Sequence, residues 1–99
     1  MKTQTMDRIH LLIQELNKVT EKNTADEETW TTITEISRLL EEDVEIGSRT
    51  QGVVADIGEL GEDFLKKESE ERERLLPERM DEIVEYATHL KEEAERSGV

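Results

Sequence analysis

Apolar residues return at intervals of three and four along almost the whole chain, and that spacing is the strongest constraint on the fold. Met6, Ile9, Ile13, Leu16 and Thr20 form one stripe, widened by Leu12 and Val19. Trp30, Ile33, Ile36, Leu40 and Val44, with Leu39 beside them, form a second, and Met80, Ile83, Ala87, Leu90 and Ala94 form a last one. At about 100° per residue such positions share one face of a helix, whereas a strand would need a period of two. The chain therefore reads as a single all-α domain over residues 1–99, a small antiparallel bundle of about four amphipathic helices joined by short connections.

The expected boundaries follow from end signals. Helix one runs from about Thr5 to Lys22 and stops at Asn23. Thr24 and Glu27 have the spacing of a capping box that opens helix two, which runs to Gly47. Ser48 and Gln51 form a second candidate box, opening helix three after a tight corner. The stripe also reads through that corner as Ile46, Thr50, Val53, Ile57, Leu60 and Phe64, which would give one long coiled-coil-like rod from about residue 25 to residue 75. Gly47 and Gly52 favour the break, since each costs about 1 kcal/mol relative to Ala inside a helix. Gly58 and Gly61 lie near the apolar face of helix three, where missing side chains would admit a close helix neighbour. The charge run Lys66 to Arg74 is expected to extend helix three, with Glu68 pairing Arg72 and Glu70 pairing Arg74. Pro77 suits the first turn of helix four, and Gly98 its end.

Composition limits what such a bundle can do. Hydrophobic residues make up 33% and aromatics 3%, with one Trp, one Phe and one Tyr, so the core is thin and aliphatic. The seams of helices three and four are narrow enough to suit a homodimer. The chain has no cysteine, which excludes disulfides, thiolate catalysis and Cys-ligated zinc, and a cytoplasmic location is expected. No stretch approaches the roughly 20 apolar residues of a membrane span. The formal charge of -13 repels nucleic-acid phosphates and anionic lipid, and draws the protein toward basic surfaces.

Six carboxylates are the candidate binding residues: Glu41, Glu42, Glu45, Glu59, Glu62 and Asp63. By helical geometry Glu42 and Glu45 point away from Leu40 and Val44, and Glu59 away from Ile57 and Leu60, so an exposed acidic face is expected. The first reading is a non-catalytic protein interaction module, a regulator, adaptor or inhibitor, needing no cofactor. It would bind a basic protein surface through this face, in one version as a mimic of nucleic-acid charge. A structural helical homo-oligomer is a further reading.

The same residues carry a resemblance. Glu42-x-x-Glu45 and Glu59-x-x-Glu62, preceded by Leu39-Leu40-Glu41 and followed by Phe64-Leu65, resemble the ExxE, spacer, ExxD pattern of the MazG-like all-α nucleoside triphosphate pyrophosphohydrolases, with Glu62 where that family has Asp. The resemblance covers about residues 30 to 65. It implies that Glu42, Glu45, Glu59 and Glu62 hold magnesium on a nucleotide's phosphates and that a metal-activated water attacks.

Other chemistry-bearing residues are sparse. His89 has Glu85, Glu92 and Glu93 on neighbouring turns, a weak single-helix set for a divalent cation, and is expected to be solvent-exposed among charges. His10 is expected in packing or at an interface. Trp30 is expected as a core or interface anchor, and Gly58-x-x-Gly61 lacks the Lys and Ser/Thr of a phosphate loop.

Overall fold

A computed structural model describes residues 2–97 of the protein. Its described residues form four helices, α1 (Thr3–Lys22), α2 (Glu27–Glu41), α3 (Ser48–Leu65) and α4 (Ser69–Ser97). Each packs on its neighbours in the chain, and α1 also packs on α4, so the four close into a ring around one core. Short connections make sequential helices antiparallel, and cross-links fix the ends. Thr5 at the start of α1 donates to Asp43 after α2, and the Arg72 guanidinium near the start of α4 donates to the Ala25 carbonyl between α1 and α2. The bundle measures 41 × 22 × 19 Å.

The stripes read from the sequence are the buried faces, except that Leu39, placed beside the second stripe, turns outward and is 47% exposed. Ile9, Leu12, Ile13, Leu16 and Val19 turn inward from α1, Trp30, Ile33, Ile36 and Leu40 from α2, and Ile83, Ala87, Leu90 and Ala94 from α4. α3 contributes Val54, Ile57, Leu60 and Phe64, with Val53 only half-buried. Trp30 stacks on Phe64 with ring centroids 4.2 Å apart. The α2–α3 pair is the most intimate because α3 offers two glycines to it: Gly61 lies under Thr34 and Gly58 under the Arg38 guanidinium. The approach expected at these glycines is therefore made by a helix of the same chain.

Several boundaries differ from the sequence reading. α1 ends where expected, with Asn23 in the left-handed conformation (φ 51°) and its amide on the Val19 carbonyl. The Thr24/Glu27 box does not form. Asp26 is the N-cap residue, and Thr24 instead accepts the Asp26 amide at 3.2 Å, a local turn that competes with capping. α2 ends at Glu41, six residues before Gly47, so Val44 leaves the stripe and is 89% exposed. The chain is turned there by Asp43, whose carboxylate accepts the Glu45 amide at 2.8 Å and the Thr5 hydroxyl, while Ile46 drops into the core. Residues 42–47 separate α2 from α3, so the two do not form a rod. Gly47 is not left-handed but extended (φ -69°, ψ 159°), and it, not Ser48, occupies the N-cap of α3. Gln51 reaches the Asp43 carbonyl instead of closing a capping box.

The charge run does not extend α3. The chain turns at residues 66–68, and α4 begins at Ser69, with Glu70 and Glu71 at the positive end of its dipole. Pro77 consequently lies inside α4 and not in its first turn. Arg72 is drawn into the bundle end, where Nε donates to Ala25 O at 2.9 Å and Nη1 to Lys67 O at 2.7 Å, so it does not pair with Glu68. Arg74 bonds the Glu70 carbonyl and not its carboxylate. The expected helix end at Gly98 lies outside the described residues. No helix among the described residues is long and apolar enough to cross a membrane.

Candidate interaction surface

The charge of the protein is unevenly placed. Residues 27–65, which make up α2, the connection and α3, contain eleven Asp and Glu against two cations, Arg38 and Arg49. α1 carries three residues of each sign. On the α2–α3 hairpin Glu27, Glu28, Glu35, Glu42, Glu45, Asp56, Glu59, Glu62 and Asp63 are all exposed. They are exposed because the inward faces of both helices are filled by the Trp30–Phe64 layer and by the glycine contacts.

Arg38 organises the centre of this surface. Its Nη1 donates to Glu41 and its Nη2 to Glu62, both at 2.7 Å, so one guanidinium ties α2 to α3 above Gly58. Glu62 first and Glu41 second hold the guanidinium above its ordinary basicity. The structure thus brings together two of the six carboxylates and neutralises part of their charge. Glu45 lies 3.9 Å from Lys2. Glu42, Glu59 and Asp63 are exposed and form no ion pair among the described residues, although Asp63 lies near enough to Arg79 to favour its charge. Beside Arg38, a shallow groove of about 490 Å³ is lined by Thr34, Glu35, Arg38, Leu39 and Glu42, and Leu39 is 47% exposed in it.

Arg38 and Glu35 carry no signal in the sequence that marks them for this surface, and Leu39 reads there as part of the apolar stripe and not as a surface residue. The spacing of Arg38 to Glu41 on one helix is legible there. Its bond to Glu62, 24 positions away, depends on how deeply α2 settles on Gly58 and Gly61 and has no local signal.

No group of three or more His, Asp or Glu among the described residues is placed to hold a metal. Glu62, one of the four ligands the resemblance implies, already accepts a guanidinium, which would have to be displaced before a cation could share it. Glu85, His89, Glu92 and Glu93 likewise form no such group. His89 is half-buried, not solvent-exposed as expected, because Nε2 lies 3.2 Å from the hydroxyl of Thr50, a buried residue, and so fastens α4 to the start of α3. His10 is exposed, not packed.

Comparison with family models, with curated proteins and with solved structures finds no match for this chain.

Proposed function

We propose that the protein is a non-catalytic interaction module, a regulator, adaptor or inhibitor, whose acidic α2–α3 face binds a basic surface of another protein. One observation carries the reading: nine excess negative charges are concentrated in residues 27–65, on a hairpin whose outer side is open to solvent. Such a field raises the encounter rate with cationic surfaces and penalises anionic ones. Leu39, set between Glu35 and Glu42, adds an apolar contact within the charged ring. The partner that fits is a protein with a Lys/Arg-rich face carrying an apolar side chain, and a groove built to hold nucleic acid is one such surface. A cytoplasmic location belongs to the same reading, which the cysteine-free composition suits.

The test is affinity capture from the native host lysate at low ionic strength with three baits. One is the unaltered protein, one carries Glu42→Lys, Glu59→Lys and Asp63→Lys, and one carries Glu78→Lys, Asp81→Lys and Glu95→Lys on exposed positions of α4. A basic protein held by the first and third baits, lost from the second and released by salt, supports the reading. Equal capture by all three baits, or none by any, removes it.

A further inference from the structure

Helix α2 carries a second periodic row, on the side turned away from the core. Glu28, Thr32, Glu35, Leu39 and Glu42 follow one another at steps of four, three, four and three, so they share one line along the helix. Glu28, Glu35, Leu39 and Glu42 are exposed and Thr32 is half-buried, so no helix of the bundle covers the row. Glu42 is the C-cap of α2 and keeps a right-handed backbone, which carries the row one residue past the last helical position.

The three carboxylates recur at every seventh residue, and Thr32 and Leu39 recur at the same interval between them. None of Glu28, Glu35 and Glu42 forms an ion pair among the described residues. Arg38, the one cation of α2, is held off the row by Glu41 and Glu62. Thr32 turns its hydroxyl onto the Glu28 carbonyl at 3.1 Å, which satisfies that donor within the helix and leaves the methyl group for a partner to meet. Shallow grooves of about 470 and 490 Å³ lie along the row, the first lined by Glu28 and Thr32 and the second by Glu35, Leu39 and Glu42.

A seven-residue repeat is the seam of a helix pair, here with acids at positions that a self-associating seam fills with apolar residues. A second copy of this chain would bring its own net charge of -13 against them. An extended segment repeats on one face about every 6.8 Å and falls out of register with carboxylates about 10.5 Å apart, whereas a helix repeats at the same interval. We propose, on the acidic-face reading above, that this row docks a basic amphipathic helix of the partner protein, with Lys or Arg at every seventh position and apolar residues between. Its cations meet Glu28, Glu35 and Glu42, and its apolar side chains meet Thr32 and Leu39. The row is about 21 Å long, two repeats of the seam, so the complex belongs to the transient and not the permanent class.

The test titrates the full chain at low ionic strength with synthetic helical peptides of identical composition. Two carry Lys at every seventh position, with Leu either three or four positions after each Lys, for the two directions in which a helix can run along α2. A third has Lys at every fifth position, which winds the cations around the helix. One of the first two should bind at least about tenfold more tightly than the third, gain helicity on binding, and shift the amides of residues 28–42 and not those of α4. Leu39→Ser and Glu35→Gln, both at exposed positions, should each weaken that binding about threefold or more. Equal binding of all three peptides, binding unmoved by Leu39→Ser, or self-association of the chain through residues 28–42 overturns the proposal. A fourth bait in the lysate capture, carrying Glu28→Gln, Glu35→Gln and Leu39→Ser, separates the helix from the broader reading. Loss of the captured protein from that bait as well supports the helix. Its retention there, with loss from the bait carrying Glu42→Lys, Glu59→Lys and Asp63→Lys, leaves the acidic face standing and removes the helix.

Discussion

The indole of Trp30 lies flat on the ring of Phe64, 5° from parallel, and both side chains are fully enclosed. This contact joins the first turn of α2 to the last turn of α3, in a chain with only three aromatic residues. Phe64→Ala removes the ring and leaves a void that aliphatic neighbours fill only in part. A loss of about 3–5 kcal/mol is expected, a large share of the roughly 5–15 kcal/mol that stabilises a domain of this kind. Urea unfolding followed by Trp30 fluorescence measures it. Trp30→Phe should cost less, because it also removes an indole N–H that is enclosed without an acceptor.

The glycines of α3 separate packing from helix propensity. Gly52 is exposed with open space around it, so Gly52→Ala should stabilise by about 0.5–1 kcal/mol. Gly61→Ala gains the same propensity but drives a methyl group into the Thr34 hydroxyl, and should destabilise by about 1–3 kcal/mol. Adding Thr34→Ala should recover part of the loss, since the next atom met is the Thr34 Cβ at 3.2 Å. If Gly61→Ala raised the melting temperature, the close α2–α3 contact would be wrong.

These residues also show what the sequence could reveal. The periodic stripes located all four helices, because burial of one face is written at every third or fourth position. The glycines marked a close approach, but which side chains would cover them could not be read locally. The ends were misplaced where side chains made nonlocal choices. Asp43 stops α2 by holding Thr5, 38 positions away, and Arg72 starts α4 by holding Ala25, 47 positions away. Glu59 is exposed because a charge opposite the apolar stripe of a helix faces solvent, whereas Glu42 is exposed at the end of α2, where the helical face used to place it no longer continues. The bond of Glu62 to Arg38, which sets the charge at the centre of that surface, required the packed helices.

Asp43 gives the fold an acid-sensitive joint. The Thr5 hydroxyl first, then the Glu45 amide, hold its carboxyl below the usual aspartate range, with Arg8 and Lys2 adding to the effect. A group whose folded value is depressed contributes stability that is complete above its unfolded value and is lost as pH falls through the folded one. The contribution should therefore be intact above about pH 4 and disappear below it. Asp43→Asn should lower stability at neutral pH and flatten the acid limb of the stability curve, read by urea midpoints across that window. Unchanged curvature would show that the joint does not titrate.

Pro77 interrupts the hydrogen-bond ladder of α4 next to the buried Leu76, and its own ring is exposed. It cannot donate to the Glu73 carbonyl, a loss that costs about 3 kcal/mol in a helix interior, offset by up to about 1 kcal/mol because proline restricts the unfolded chain. Pro77→Ala should accordingly raise stability by about 2 kcal/mol. A loss of stability would mean that α4 needs the interruption to keep both Leu76 and Ile83 in the core.

Salt should stabilise this protein. Its 26 acidic residues outnumber its 13 Lys and Arg, and the bundle is only 22 × 19 Å across, so at low ionic strength charges on opposite faces repel within one screening length. Salt also weakens the ion pairs, but exposed pairs contribute only about 0–1 kcal/mol each, and the Arg38 bridge is the one that joins two helices of the acidic hairpin. Repulsion therefore dominates, and screening it by about 1 kcal/mol would raise the melting temperature by roughly 4–8 °C. The bait carrying Glu42→Lys, Glu59→Lys and Asp63→Lys should melt higher at low salt and respond less to added salt than the one altered on α4. The difference is expected because residues 66–99 place seven Lys and Arg among eleven acids, whereas residues 27–65 place two among eleven. A melting temperature that falls as salt is added would mean that attraction through the pairs outweighs repulsion, and the α2–α3 face would then lack the excess field on which its proposed role depends.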